Sequence, residues 1–172
     1  TITGNMTRQI SSGRITEEQR ETALDRISAA VTVEEVGTAD LIIESATEKE
    51  EVKAKIFESV TPHLADHTFL ATNTSSISIT RLAATDRPER FMGVHFMNPV
   101  PVMELVELVR GIATDDETFE AMHSLVERLG KQSSTAEDFP AFIVNRILVP
   151  MINEAVYTLY EGVGTVEGID KA

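Results

Sequence analysis

Three successive stretches decide the fold: Ala39-Asp-Leu-Ile-Ile-Glu-Ser-Ala46, then Glu48 to Leu64, then Thr68-Phe-Leu-Ala-Thr72. The first is a short apolar run bounded by polar residues, which suits a strand buried on both faces. The second changes period. Val52, Ile56, Val60 and Leu64 recur every four residues among Glu and Lys, the stripe of an amphipathic helix. The third returns to strand length and ends in the polar cluster Asn73-Thr74-Ser75-Ser76.

Upstream, Thr16 followed three residues later by Gln19 forms a capping-box start for a helix carrying Ala23, Leu24 and Ile27 inward and ending near Ala30. Downstream, Arg90 to Met97 reads as a strand that stops at Asn98-Pro99, and Glu104 to Val109 as another. Thr114-Asp-Asp-Glu can cap a helix whose inward stripe is Phe119, Met122, Val126 and Leu129, with Gly130 as its stop. Short strands alternating with helices of three or more turns argue for a layered α/β architecture with a largely parallel sheet. Beyond Pro140 the pattern becomes helical. Phe142 to Tyr160 carries a broad apolar face expected to be buried against something large, with Pro150 expected to bend it.

The chain has 172 residues, enough for one domain and the start of another. At 42% hydrophobic and 25% charged it has ample apolar material for a core. The 15 Lys and Arg against 28 Asp and Glu give a formal charge of -13, which repels phosphate backbones and anionic lipid, so nucleic acid is a poor partner. The absence of cysteine removes disulfides, thiolate metal sites and cysteine nucleophiles together. No apolar run approaches the roughly 20 residues of a bilayer span, and no signal-peptide pattern opens the sequence, so no membrane association is expected and the expected address is the cytoplasm.

Of the four histidines, His63 and His67 flank a helix-to-strand turn, and His123 lies on a helix where solvation is expected. His95 differs, because it ends an apolar strand, and ligands bind at the carboxyl ends of strands in parallel α/β sheets. From its position alone it can equally be a satisfied core residue. The cluster Asn73 to Ser76 should line the same edge. A Ser/His hydrolase is disfavoured by the missing Gly-x-Ser-x-Gly elbow. A general base needs a carboxylate partner, and Glu104 and Glu107 are both available in the next strand. A metal site has little support, and neither a Gly-x-Gly-x-x-Gly turn nor a Walker motif is present.

Read together, Asn73-Thr-Ser-Ser-Ile-Ser-Ile-Thr80, His95-Phe-Met-Asn-Pro-Val-Pro-Val-Met103, Pro140-Ala-Phe-Ile-Val-Asn-Arg146 and Asn153-Glu-Ala-Val-Tyr-Thr-Leu-Tyr-Glu161 resemble the L-3-hydroxyacyl-CoA dehydrogenase family, nearest its bacterial short-chain branch. The resemblance implies a Rossmann-type NAD domain over 1–139, with a mostly parallel sheet and flanking helices, and the start of an all-helical domain over 140–172. It also implies a glycine-rich βα unit before Thr1, most of the helical domain after Ala172, and a homodimer in the full-length protein. The implied activity is NAD-dependent oxidation of a (3S)-3-hydroxyacyl-CoA, short in chain, to the 3-oxoacyl-CoA in fatty-acid metabolism.

By the same matching, His95 is the catalytic base and Glu107 its carboxylate, while Ser75 and Asn145 are the active-site serine and asparagine. Glu48, Lys53 and Ser75 are expected to touch NAD, with Asn73 and Asn98 supporting its nicotinamide end. The family's CoA contacts fall on a helix near Asn5 to Gly13, where Asn5, Arg8 and Ser12 are available and the family's lysine is not. Ala141 stands where the family has glycine. Two other readings stay open: a non-catalytic fragment or acyl-CoA-binding module, and a piece of a larger enzyme in which the dehydrogenase is fused to a hydratase.

Overall fold

The structure is a computed structural model and describes residues 2–172. These fall into two compact units, one reaching Glu35 and one running from Val36 to Ala172.

The first unit holds α1 (Ile2–Ser11) and α2 (Glu17–Leu24). The capping box at α2 forms: Gln19 N donates to Thr16 Oγ1 at 3.1 Å, and Thr16 N donates to Gln19 Oε1 at 2.8 Å. The helix stops at Leu24, six residues before the expected end at Ala30. Ile27, expected to face inward, is half exposed beyond the end of the helix.

The second unit is built on five strands: β1 (Leu41–Glu44), β2 (Phe69–Thr72), β3 (Phe91–Phe96), β4 (Leu105–Arg110) and β5 (Gln132–Glu137). They lie side by side in chain order. Three of the four pairings are parallel, and β3 with β4 is antiparallel. The helices are α3 (Glu50–Val60), continued by a 3₁₀ turn at Thr61–His63, then α4 (Ile79–Leu82), α5 (Asp116–Arg128), α6 (Val144–Tyr160) and α7 (Val166–Lys171).

Both faces of the sheet are covered, as its apolar strands require. One core contains Phe57 of α3, Ile79 and Leu82 of α4, and Leu70, Phe91, Val109 and Phe142. The other packs Ala71, Met92, Val94, Val106 and Leu108 against Met122 and Val126 of α5. Side chains alternate along a strand. His95 and Glu107 therefore share the face of Phe91 and Val109, on the side of α3 and α4. Gly93 lies between them on that face, and a Cβ there would sit 2.7 Å from Ile79 Cδ1, so its missing side chain lets α4 approach the sheet.

The structure departs from the sequence reading at three further points. The polar segment Gln132–Glu137 forms β5; only Ala136 is buried, so no apolar run marks this edge strand. Leu129, expected inward on α5, is exposed, because α5 ends at Arg128 and the chain turns there at Gly130 with φ +67°. No residue of α6 is buried among the described residues, and Ile147 is 63% exposed where a broad buried face was expected. Phe142, just before the helix, is the apolar residue of that stretch that does enter the core.

Candidate active site

The site lies at the edge of the sheet where β1, β2 and β3 end. In the antiparallel pairing of β3 with β4, His95 and Glu107 are direct partners. Opposed residues project to the same face within side-chain reach. His95 Nδ1 lies 2.8 Å from Glu107 Oε2. Glu107 is 0% exposed and His95 6%. The other oxygen, Glu107 Oε1, accepts the backbone N–H groups of Ile143 and Val144, each at 2.9 Å. These amides begin α6, whose N-terminal N–H groups lack partners inside the helix and favour an anion. With Glu107 as carboxylate, it accepts three hydrogen bonds and Nδ1 of His95 is a donor; in the neutral imidazole Nε2 then keeps its lone pair. Glu104, the other carboxylate in sequence range, is exposed before β4 begins.

A second cluster lies where β1 and β2 end. Lys53 of α3 is 1% exposed, and its Nζ donates to Glu44 Oε1 at 3.0 Å and Oε2 at 2.8 Å. Thr72 Oγ1 donates to Glu44 Oε2 at 2.7 Å. Lys53 also lies 3.6 Å from Glu48 Oε2. Glu48 Oε1 in turn gathers the loop after β2. It accepts from Thr74 Oγ1 at 2.6 Å, Ser75 N at 2.9 Å, and Ser76 N and Oγ at 3.1 Å. Partial burial pushes the Glu48 carboxyl upward, but the Thr74, Ser75 and Ser76 hydrogen bonds and the Lys53 charge outweigh it and hold the group below its ordinary value.

The two clusters are joined. Asn145 Nδ2 donates to the Ser75 carbonyl at 3.2 Å, one residue beyond the Val144 amide that binds Glu107. Asn73 Oδ1 accepts Phe96 N at 2.8 Å, tying the end of β2 to the strand position after His95. Asp138, at the end of β5, holds the far side of the serine loop. Its carboxylate accepts Ser78 Oγ at 2.7 Å and the Ile79 and Thr80 amides at 2.8 Å. Burial raises the Asp138 carboxyl, and these bonds from Ser78, Thr80 and Ile79 more than offset it, so the group sits below its usual range.

Of the residues singled out in the sequence, His95, Glu107, Ser75, Asn145, Asn73, Glu48 and Lys53 thus fall into one hydrogen-bonded neighbourhood. Asn98 is exposed in the turn after β3, preceding Pro99 through a cis peptide bond. Asn5 and Ser12 belong to the first unit; Asn5 Oδ1 accepts from Arg8, and Ser12 Oγ donates to Gln9 O at 3.0 Å. Lys53 faces Glu44 and Glu48 rather than an open surface. Glu44, Thr72 and Asp138 are not singled out in the sequence, and Phe142 only as part of an apolar face. A single acid closing the apolar run Leu41-Ile-Ile was the available signal for Glu44.

The side-chain groups here are carboxylates, hydroxyls, carboxamides, one ammonium and one imidazole. Among the described residues no cluster of three His, Cys, Asp or Glu could hold a metal ion. Also among them, no helix is long and apolar enough to cross a membrane. The arrangement suits proton transfer at an oriented imidazole. For a nicotinamide cofactor the half-exposed Glu48 carboxylate and the Ser75 and Asn73 loop fit, being polar, preorganised and at the carboxyl ends of parallel strands.

The model of the 3-hydroxyacyl-CoA dehydrogenase NAD-binding domain matches residues 1–139, and that of the 3-hydroxyacyl-CoA dehydrogenase C-terminal domain matches residues 142–172. A 3-hydroxybutyryl-CoA dehydrogenase of Bradyrhizobium diazoefficiens is 64% identical over all of this chain, which spans 59% of that relative. A probable 3-hydroxybutyryl-CoA dehydrogenase of Bacillus subtilis is 46% identical over 96% of the chain and 58% of the relative. Among solved structures, the (S)-3-hydroxybutyryl-CoA dehydrogenase of Ralstonia eutropha superposes with a TM-score of 0.91 at 44% identity, covering 96% of this chain and 59% of that one.

Proposed function

Since the chain belongs to the 3-hydroxyacyl-CoA dehydrogenase family, whose N-terminal domain binds NAD, we propose that the whole protein oxidises a short (3S)-3-hydroxyacyl-CoA, 3-hydroxybutanoyl-CoA, to the 3-oxoacyl-CoA. The observation that carries this reading is the 2.8 Å contact of His95 Nδ1 with the fully buried Glu107. It leaves Nε2 as an oriented proton acceptor. NAD, when bound, accepts the hydride that leaves C3. His95 Nε2 takes the proton of the 3-hydroxyl as that bond is oxidised, so no bare alkoxide accumulates. Glu107 holds the tautomer and stabilises the imidazolium that forms. Ser75 and Asn145 orient the substrate oxygen. Glu48 and Ser75 contact NAD, with Lys53 behind Glu48, and Asn73 and Asn98 support the nicotinamide end.

The same reading includes a domain boundary at 139/140, CoA contacts from Asn5 and Ser12, a homodimer, a role in β-oxidation and a cytoplasmic address. Relatives named 3-hydroxybutyryl-CoA dehydrogenases support the short chain length. The test is His95→Gln in the whole protein, following NADH loss with acetoacetyl-CoA. Turnover should fall by about 10²-fold or more. A rate near the parent's would move the base elsewhere, and faster turnover of long-chain 3-oxoacyl-CoA than of acetoacetyl-CoA would overturn the chain-length assignment.

A further inference from the structure

Two consecutive residues just before α6, Ala141 at φ +68° and Phe142 at φ +51°, occupy the left-handed region although neither is glycine. Side chains there crowd the backbone, and such positions persist only where the surroundings over-determine them. What this turn achieves is visible on both sides of it. Phe142 is 3% exposed and sits in the core with Phe91, Ile79 and Val109. Its ring meets the imidazole of His95 edge-on, centroids 5.9 Å apart and planes at 61°. The next two residues, Ile143 and Val144, give both their amides to Glu107. One reversal of the chain thus contacts the two members of the pair at once, one through a ring and the other through the backbone.

We propose that Phe142 is a positioning residue for the His95–Glu107 pair, and that the left-handed turn at Ala141–Phe142 sets the imidazole's orientation and tautomer by seating that ring while aiming the amides at Glu107. This rests on the reading of His95 as the base. Two links make the coupling specific. Glu107 has both oxygens committed, so withdrawing the amides frees the carboxylate to rotate away from Nδ1. The His95 ring is confined by Glu107 on its Nδ1 side and by the Phe142 ring, so loss of either contact opens a second ring orientation.

The experiment uses the whole protein with Phe142→Leu, which keeps an apolar side chain in the core. Val144→Pro is the second variant; it removes one amide donor to Glu107 at the first position of α6. Two readings are taken: steady-state kcat and KM, and the ¹⁵N spectrum of the His95 imidazole without cofactor. For either variant, kcat should fall about tenfold or more, since small misplacements near the reacting atoms are expensive. KM for NAD should stay within about twofold, and the imidazole nitrogens should change from one tautomer to a mixture. A folded variant with parental nitrogen shifts overturns the proposal, whether or not its rate has changed. His95→Gln is run in parallel. If it keeps a near-parental rate the base assignment fails, and the nitrogen spectrum still reports whether the turn orients the ring.

Discussion

Replacing Glu107 by Gln tests the geometry of the site more sharply than removing the side chain. The carboxylate serves three donors with two acceptor oxygens: Oε1 faces the Ile143 and Val144 amides, and Oε2 faces His95 Nδ1. A carboxamide has one oxygen and one NH2. If the oxygen stays with the two amides, the NH2 meets Nδ1, which must then give up its hydrogen. The tautomer flips, and Nε2 becomes a donor that cannot accept a proton. If the amide is reversed, the NH2 meets two backbone N–H groups at a buried position, each unsatisfied donor costing about 1–3 kcal/mol. Loss of the charged partner of the imidazolium adds roughly 1.5–3 kcal/mol. The last of these acts on the transition state and is about 10- to 10²-fold in kcat, whereas the unsatisfied amide donors weaken the fold. The assay is NADH turnover with acetoacetyl-CoA, alongside thermal unfolding to confirm a folded variant. A Glu107→Gln protein turning over within about threefold of the parent would refute the reasoning, because both amide orientations leave the pair in the wrong state.

Other outcomes follow from the neighbouring clusters. Lys53→Met leaves Glu44 buried with the Thr72 hydroxyl and the Ala46 amide as partners but no cation, so urea unfolding should report a loss of about 3–5 kcal/mol. Adding Glu44→Gln should recover part of it, and a loss near zero in the single variant would show that the ion pair is dispensable. Asp138 has its folded pKa lowered below the ordinary 3.8, so on acidification the unfolded chain takes up its proton first. Its contribution is complete above that ordinary value and is lost as pH falls through the folded one. The stability difference between the parent and Asp138→Asn should therefore be constant near neutrality and shrink in acid; a gap independent of pH would contradict the assignment. Gly93→Ala would put a methyl 2.7 Å from Ile79 Cδ1 and 2.9 Å from Val109 Cβ, and should destabilise by about 1–3 kcal/mol in the same assay.

Much of the α/β layering can be read directly from Leu41–Glu44, α3 and Phe69–Thr72. Each is a local pattern: a buried strand has no polar alternation, and an amphipathic helix has a stripe every three to four residues. The Thr16–Gln19 capping box is local in the same sense and appears as written. β5 was invisible for the complementary reason. Its residues are polar, and it exists because β4 offers a ladder to pair with, which is a property of a neighbour. The exposure of α6 is likewise outside the reach of periodicity, which tells that a face is apolar but not what lies against it.

At the site, residue types and strand ends pointed to His95 and to the polar loop at Asn73–Ser76, while spacing left Glu104 and Glu107 equivalent. The family resemblance favours Glu107, and the register of β3 against β4 supplies the physical reason, because it sets Glu107 opposite His95 and leaves Glu104 outside the strand. Lys53 shows the same limit. Its charge invites a ligand, yet its ammonium is enclosed by Glu44 and Glu48, residues nine and five positions earlier in the chain that α3 folds back upon. Sequence alone determined which segments are apolar and with what period, and which residues carry titratable chemistry, since both are properties of side chains and their near neighbours. Register, the left-handed turn before α6 and the partners of each buried charge were decided by tertiary structure, because each depends on what a distant segment brings to within hydrogen-bonding distance.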